Sequence, residues 1–124
     1  MPNPIILDLP IPPSTNNIWR QGKQHVYINP VYAAWKKQAD ATVIIVGLTT
    51  LGRIEGRFTV LIQINESMVR SNRDLDNFTK VLLDYCRRIE LVKDDNLKLC
   101  RSVTVRIDEE TPPPLGCRVT LTPL

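Results

Sequence analysis

The constraint that decides most about this fold is a change of hydrophobic period near the middle of the chain. In Arg57–Asn65 (RFTVLIQIN), Phe58, Val60, Ile62 and Ile64 alternate with Thr59, Leu61 and Gln63. That two-residue period is the mark of a strand with one buried face. After the polar segment Glu66–Arg73, Leu75, Phe78, Leu82, Tyr85 and Ile89 recur at spacings of 3, 4, 3 and 4. They form one stripe of a helix beginning near Asp74. A chain of 124 residues has room for one domain, so this strand and this helix must share a core. The expectation is an α/β (α+β-like) fold over residues 1–124: a mixed sheet of four to five strands packed with two main helices, on one or both faces.

Weaker signals fill in the rest. Ile5–Leu9 reads as a short strand stopped by Pro10, Pro12 and Pro13, and Ser14–Asn17 reads as a turn. His25–Ile28 is a candidate short strand. Asn29 then reads as an N-cap, with Pro30 at the first helical position. Tyr32, Trp35, Ala39, Thr42, Val43 and Val46 lie on one face of a helix of about 16 residues, which Gly47 ends. Lys93–Asn96 is a turn, and Ser102–Ile107 alternates with Val103, Val105 and Ile107 on one side. Arg118–Thr122 returns as a last strand and is expected to form a long-looped hairpin with the preceding one.

Composition excludes several classes. The longest uncharged run, Ala41–Gly52, is twelve residues and holds several threonines. A membrane span needs about 20 apolar residues, so none is expected. The opening MPNPIILDLP has no basic flank and carries Asp8 within its apolar part, so it does not read as a secretory signal. Cys86, Cys100 and Cys117 are odd in number and lack CxxC spacing. They read as reduced core residues of a cytoplasmic protein rather than a zinc or disulfide framework. With His25 the single histidine, a histidine-based triad or multi-histidine metal site is excluded. Acid–base or metal chemistry must come from carboxylates and lysines. The net charge of +3 is modest. It favours a polyanionic partner only if some of the acids are neutralised by a cation.

The chemistry-bearing stretch is Arg73-Asp74-Leu75-Asp76-Asn77-Phe78-Thr79-Lys80. On a helix, Asp76, Lys80 and Arg87 fall on one stripe away from the core, and Asp74 stands beside them where the loop enters. Asp94 and Asp95, in the later turn, can bring a third carboxylate to the same place. Three converging carboxylates repel unless a cation lies between them. A hard cation such as Mg²⁺ takes oxygen ligands of this kind and, with its waters, serves phosphodiester hydrolysis. Lys80 can stabilise charge on the phosphate, while Arg70, Arg73 and Asn77 can hold a nucleic-acid backbone. The same residues also have an ordinary explanation: Asp74 as an N-cap, Asp76–Lys80 as a surface pair worth about 0.3 kcal/mol, and Asp94–Asp95 as plain turn residues.

Three stretches together carry a resemblance: Leu9–Asn17 (LPIPPSTNN) with Trp19-Arg20 behind it, Arg73-Asp74-Leu75-Asp76-Asn77 with Lys80, and Lys93-Asp94-Asp95. In order and spacing they resemble the RusA family of Holliday junction resolvases. The resemblance implies that Asp74, Asp76 and Asp95 are metal-binding, catalytic carboxylates and that Lys80 is an essential lysine. It implies a homodimer that cuts four-way junction DNA by paired nicks with Mg²⁺ or Mn²⁺, in recombination and repair or phage DNA processing. The chain departs from the family before Asp74, where Arg70-Ser71-Asn72-Arg73 replaces a fuller arginine run. The DNA-contacting candidates are Arg20, Lys23, Arg70, Arg73 and Asn77, and the thinner run implies weaker DNA affinity or contact borne by Arg20, Lys23, Arg53 and Arg57 instead. Val81 and Leu83, outside the core stripe, read either as a dimer surface or as residues covered by a loop. The apolar end of the first helix (Val43–Val46) is a second candidate dimer contact. The alternatives are a non-catalytic branched-DNA-binding module of the same fold and a protein with no nucleic-acid role.

Overall fold

The organising strand is β4 (Phe58–Ile64), whose alternate residues Phe58, Val60, Ile62 and Ile64 are buried almost completely. In a computed structural model, which describes residues 3–14, 19–21, 26–28, 30–47, 51–70 and 72–124, β4 lies at the centre of a four-stranded mixed sheet. Its neighbours are β6 (Gly116–Pro123), antiparallel, and β5 (Cys100–Ile107), parallel. β1 (Ile5–Pro10) pairs antiparallel with the far side of β6, giving the order β1-β6-β4-β5. A separate two-stranded ribbon joins β2 (Trp19–Gln21) and β3 (Val26–Ile28).

Register explains the core. Leu7, Val119, Ile62 and Val105 stand in one row across the sheet, with Ile5, Leu121, Val60 and Val103 beside them and Leu9, Cys117, Ile64 and Ile107 on the other side. These rows share one face because side chains alternate along each strand. The opposite face is polar, with Asp8, Arg118, Gln63 and Arg106 in one row. One face alone is therefore buried. The cover thins toward β5, where Val103 and Ile107 are about 40% exposed.

The predicted hairpin of the last two strands does not form. β5 and β6 lie on opposite sides of β4. Both have a correct apolar face, but alternation identifies a face and not a neighbour. Parallel strands need a crossover connection, and helix α2 (Thr79–Arg88) lies in the segment that links β4 to β5.

Helix α1 (Pro30–Val46) begins at Pro30 as predicted and buries Trp35, Ala39 and Val43. Gly47 ends it with φ of 92° while its N–H bonds the Val43 carbonyl at 2.8 Å. A glycine adopts that left-handed backbone without penalty. The Trp35 indole N–H donates to the Pro10 carbonyl at 2.9 Å and fixes α1 to the end of β1. Tyr85 of α2 meets the Trp35 ring edge-on at 5.3 Å, and its hydroxyl donates to Asp40 at 2.8 Å. The two helices are thus tied to each other as well as to the sheet. Gly116 has a steric role: a Cβ there would stand 2.6 Å from Ile11 Cγ1.

Val81 and Leu83 are 0% and 6% exposed, buried within the chain itself, which settles the two readings of them and removes them as a dimer surface. Ile44 and Ile45 remain exposed. The cysteines are free: Cys86 and Cys117 are buried and Cys100 is half-buried. Burial pushes the Cys86 and Cys117 thiols up to about 12, so they stay protonated at neutral pH. Among the described residues no helix is long and apolar enough to cross a membrane. The expectations for residues 15–17, His25 and Asn29 lie outside the described residues.

Candidate active site

β1 and β4 each pair antiparallel with β6, so they run in the same direction. The chain therefore leaves Pro10 and Ile64 at the same edge of the sheet. From β1 comes the proline segment. From β4 come a short 3-10 turn, Glu66–Met68, capped by the Asn65 side chain accepting the Ser67 N–H, and then the Arg73–Asn77 stretch. Arg73 joins the two. Its guanidinium donates to the Pro12 carbonyl at 2.6 Å, the Pro13 carbonyl at 3.3 Å and the Asn77 side-chain oxygen at 3.2 Å. The same group lies over the Phe78 ring, 4.0 Å from its centroid. Phe78 is buried beneath it. Arg73 and Asn77 were expected on DNA; here they are bonded to the protein, and Arg73 is half-buried. Burial lowers the Arg73 pKa from its ordinary value.

The predicted helix start near Asp74 resolves into a 3-10 turn, Leu75–Phe78, that leads into α2. The Asp74 carbonyl accepts the Asn77 N–H at 3.0 Å, and the Asp76 carbonyl accepts that of Thr79. Backbone bonds close the turn. The Asp74 side chain makes no cap bond, so the ordinary explanation of Asp74 as a side-chain N-cap does not hold. Asp74 and Asp76 are both exposed, and among the described residues neither carboxylate takes part in a hydrogen bond or ion pair. Leu75, expected in the core stripe, is 42% exposed. It lines a cavity of about 260 Å³ with Ile64, Val69, Phe78 and Ile107.

Lys80, in the first turn of α2, reaches away from Asp76. Its ammonium lies 3.0 Å from Asp84 Oδ1 and 3.6 Å from Asp95 Oδ2. The Asp76–Lys80 surface pair is therefore not formed. Contact with Asp84 is the main cause that raises the Lys80 pKa, against burial that lowers it. Asp84 was missed in the sequence, although it stands one helical turn beyond Lys80 on the same polar stripe, a spacing at which helix side chains meet. The turn at Asp94 is self-locked: Asp94 Oδ1 accepts the Asp95 N–H at 2.7 Å, and Oδ2 accepts the Asn96 side-chain amide at 3.1 Å. The first of these bonds is the main reason the Asp94 carboxyl sits below its usual range.

The structure thus brings Lys80 to Asp95 and Arg73 to Asn77. Among the described residues it does not gather Asp74, Asp76 and Asp95, or any three such side chains, into a group that could hold a metal ion. Like charges stand apart unless a cation offsets their repulsion. Here Asp95 has Lys80 as its counter-charge, while Asp74 and Asp76 face solvent. Arg70 is exposed; the side chains of Arg20 and Lys23 lie outside the described residues.

A comparison with curated proteins gave no match. A family model described as endodeoxyribonuclease RusA matches residues 10–120. It takes in the proline segment, the Arg73–Lys80 stretch and the Asp94–Asp95 turn, which the contacts of Arg73 and Lys80 draw together in space. On that coverage, the chain belongs to the RusA endodeoxyribonuclease family.

Proposed function

We propose that this protein resolves four-way (Holliday) DNA junctions by paired, metal-dependent nicks, acting as a homodimer in recombination, repair or phage DNA processing. The observation that carries this reading is the pair of exposed carboxylates, Asp74 and Asp76, which bond nothing among the described residues and stand at a turn that Arg73 clamps to the proline segment. Carboxylates two residues apart, exposed and unbonded among the described residues, are hard oxygen donors fit for Mg²⁺ or Mn²⁺. Asp74, Asp76 and Asp95 are the residues that would hold the ion, and they would have to draw together to do so, since the structure does not gather them. When bound, such an ion offsets the charge of the phosphodiester and makes water a better nucleophile at neutral pH.

The chain's own residues do the remainder. Lys80, 3.6 Å from Asp95, is placed to stabilise negative charge developing on the phosphate or on the departing oxygen. Arg70, with Arg20 and Lys23, supplies contacts to the DNA backbone. Arg73 and Asn77 act by holding the turn in shape. A junction has two equivalent scissile phosphates related by a two-fold axis, and a symmetric dimer offers two matching sites. Exposed Ile44 and Ile45 at the end of α1 are the apolar surface a second copy would cover.

The test is cleavage of a synthetic four-way junction with Mg²⁺ or Mn²⁺ titrated in, against a linear duplex of the same sequence. Paired nicks on opposed strands, confined to the junction and dependent on the ion, are expected. Junction binding without cutting at any metal concentration would leave the alternative, a branched-DNA-binding module. Equal cutting of the linear duplex would overturn junction selectivity.

A further inference from the structure

We propose that the cavity of about 260 Å³ beside the Asp74–Asp76 turn takes one unstacked nucleobase from the branch point of the junction. The inference rests on the reading above, in which the DNA backbone passes this turn, and it needs no metal ion.

The cavity is walled by Val69, Leu75 and Ile107 and backed by buried Phe78. Two of the wall residues have the period of core residues without the cover. In the sheet row Leu9, Cys117, Ile64 and Ile107, the first three are at most 2% exposed, and Ile107 is 40% exposed. Leu75 continues the apolar stripe of α2, yet is 42% exposed. Apolar side chains left open around one concavity mark a binding site more than isolated ones do.

The charged lining says what kind of group fits. Arg73 lines the cavity, but each of its three guanidinium nitrogens already donates to Pro12, Pro13 or Asn77. Glu66 also lines it, is exposed, and takes part in no hydrogen bond or ion pair among the described residues. A phosphate would meet a free carboxylate and an engaged arginine, so the cavity does not suit an anion. A base suits it: its faces are apolar enough for Leu75, Val69 and Ile107, and its unpaired edge offers an N–H to Glu66. The size agrees. Pockets for drug-sized ligands hold about 300–1,000 Å³, and this one has room for a single ring system.

Position supplies the link to DNA. Leu75 stands between Asp74 and Asp76 in the chain, so the cavity wall and the carboxylate turn are one piece of backbone. A strand laid along that turn brings a base to the cavity mouth. At a four-way branch point base stacking is already interrupted, which is where drawing a base out costs least.

The test is made without metal, on junctions carrying 2-aminopurine at each branch-point position in turn, with anisotropy reporting binding. In wild type, 2-aminopurine emission should rise several-fold at one symmetry-related pair of positions. Leu75→Ala and Glu66→Gln should at least halve that rise, and Val69→Phe, which fills the cavity, should abolish it. Leu75→Ala should also weaken junction binding roughly fivefold while linear-duplex binding stays at the wild-type value. Ile6→Ala, at a 52% exposed residue on the opposite face of the sheet, should change neither. Junction binding with no rise at any position, or a rise that survives all three cavity variants, overturns the proposal. So does conversion of a wild-type dimer to a monomer by Leu75→Ala in sedimentation velocity, which would give the cavity to a second copy. A cavity-dependent rise with no cleavage at any Mg²⁺ or Mn²⁺ concentration would fail the functional reading and leave the base pocket standing. Metal-dependent cleavage with no rise would do the reverse, and a wild type that binds no junction would overturn both.

Discussion

At the Asp94–Asn96 turn the fold consumes the polar atoms, whereas at Asp74–Asn77 it leaves the carboxylates over. Both oxygens of Asp94 accept hydrogen bonds within three residues, and the Asn96 side-chain oxygen accepts the Lys98 N–H at 3.0 Å. The Asp74–Asn77 turn is closed by backbone bonds and clamped by Arg73 through the Asn77 side chain and the proline segment. The difference separates two uses of the same residue type. An aspartate that closes its own turn is explained by the turn. An aspartate that bonds nothing among the described residues, in a turn closed by the backbone, is available to a ligand.

The largest expected effect tests that division directly. Asp74→Asn and Asp76→Asn should each lower metal-dependent junction cleavage at least 100-fold, about 2.7 kcal/mol of barrier. Their urea midpoints should stay within about 0.5 kcal/mol of wild type. Junction binding without metal should hold or tighten, because a negative charge facing phosphate is gone. Wild-type cleavage in both variants would remove the turn from the site.

Next comes the clamp. Arg73→Ala deletes the bonds to Pro12 and Pro13 and the cover over Phe78, and should cost about 2 kcal/mol in chemical denaturation. Arg73→Lys should not restore it, since an ammonium cannot reproduce the planar fork. Full stability in Arg73→Ala would show that the proline segment and the turn hold without it.

Smaller again is Asp94→Ala, which should lower stability while leaving the cleavage rate at saturating Mg²⁺ within a few-fold of wild type. The sign with pH follows from linkage. The Asp94 pKa is lowered in the folded state from 3.8, so its contribution is complete above about pH 4 and is lost as pH falls through the folded value. The gap between wild type and Asp94→Ala should be constant from pH 5 to 7 and close below pH 4. A gap that widens on acidification would reverse the assignment.

The smallest effect is expected from Leu75→Ala, measured by thermal melting. Side-chain spacing alone puts Leu75 in the core, where such a change costs about 2–5 kcal/mol. Its 42% exposure predicts about 1 kcal/mol or less.

Much of the scaffold was legible because strand and helix periods are local. The faces of β4 and β6, the Trp35–Ala39–Val43 face of α1, its Pro30 start and its Gly47 stop all follow from neighbours a few residues away. The β5–β4–β6 order was not legible, since any strand with an apolar face satisfies the same alternation. The burial of Val81 and Leu83 was open for a related reason: a stripe marks the minimum buried width of a helix and says nothing of what else packs on it. Asp84 was in view at four residues from Lys80, but Asp76 stood at the same spacing on the other side, and both pairings are equally allowed.

By itself, the sequence determined which residue types were on hand for chemistry: aspartates, a lysine and arginines, with one histidine and no zinc framework. It also determined the periods that place them on a turn and a helix, because both properties are written in short-range order. The tertiary structure alone decided the partners. That Arg73 bonds Pro12, sixty-one positions away, and that Lys80 turns to Asp84 and Asp95 rather than Asp76, depend on which chain ends share a sheet edge and which charge lies within reach. Coulomb attraction and hydrogen bonding act through distance in space, and a linear pattern does not contain that distance.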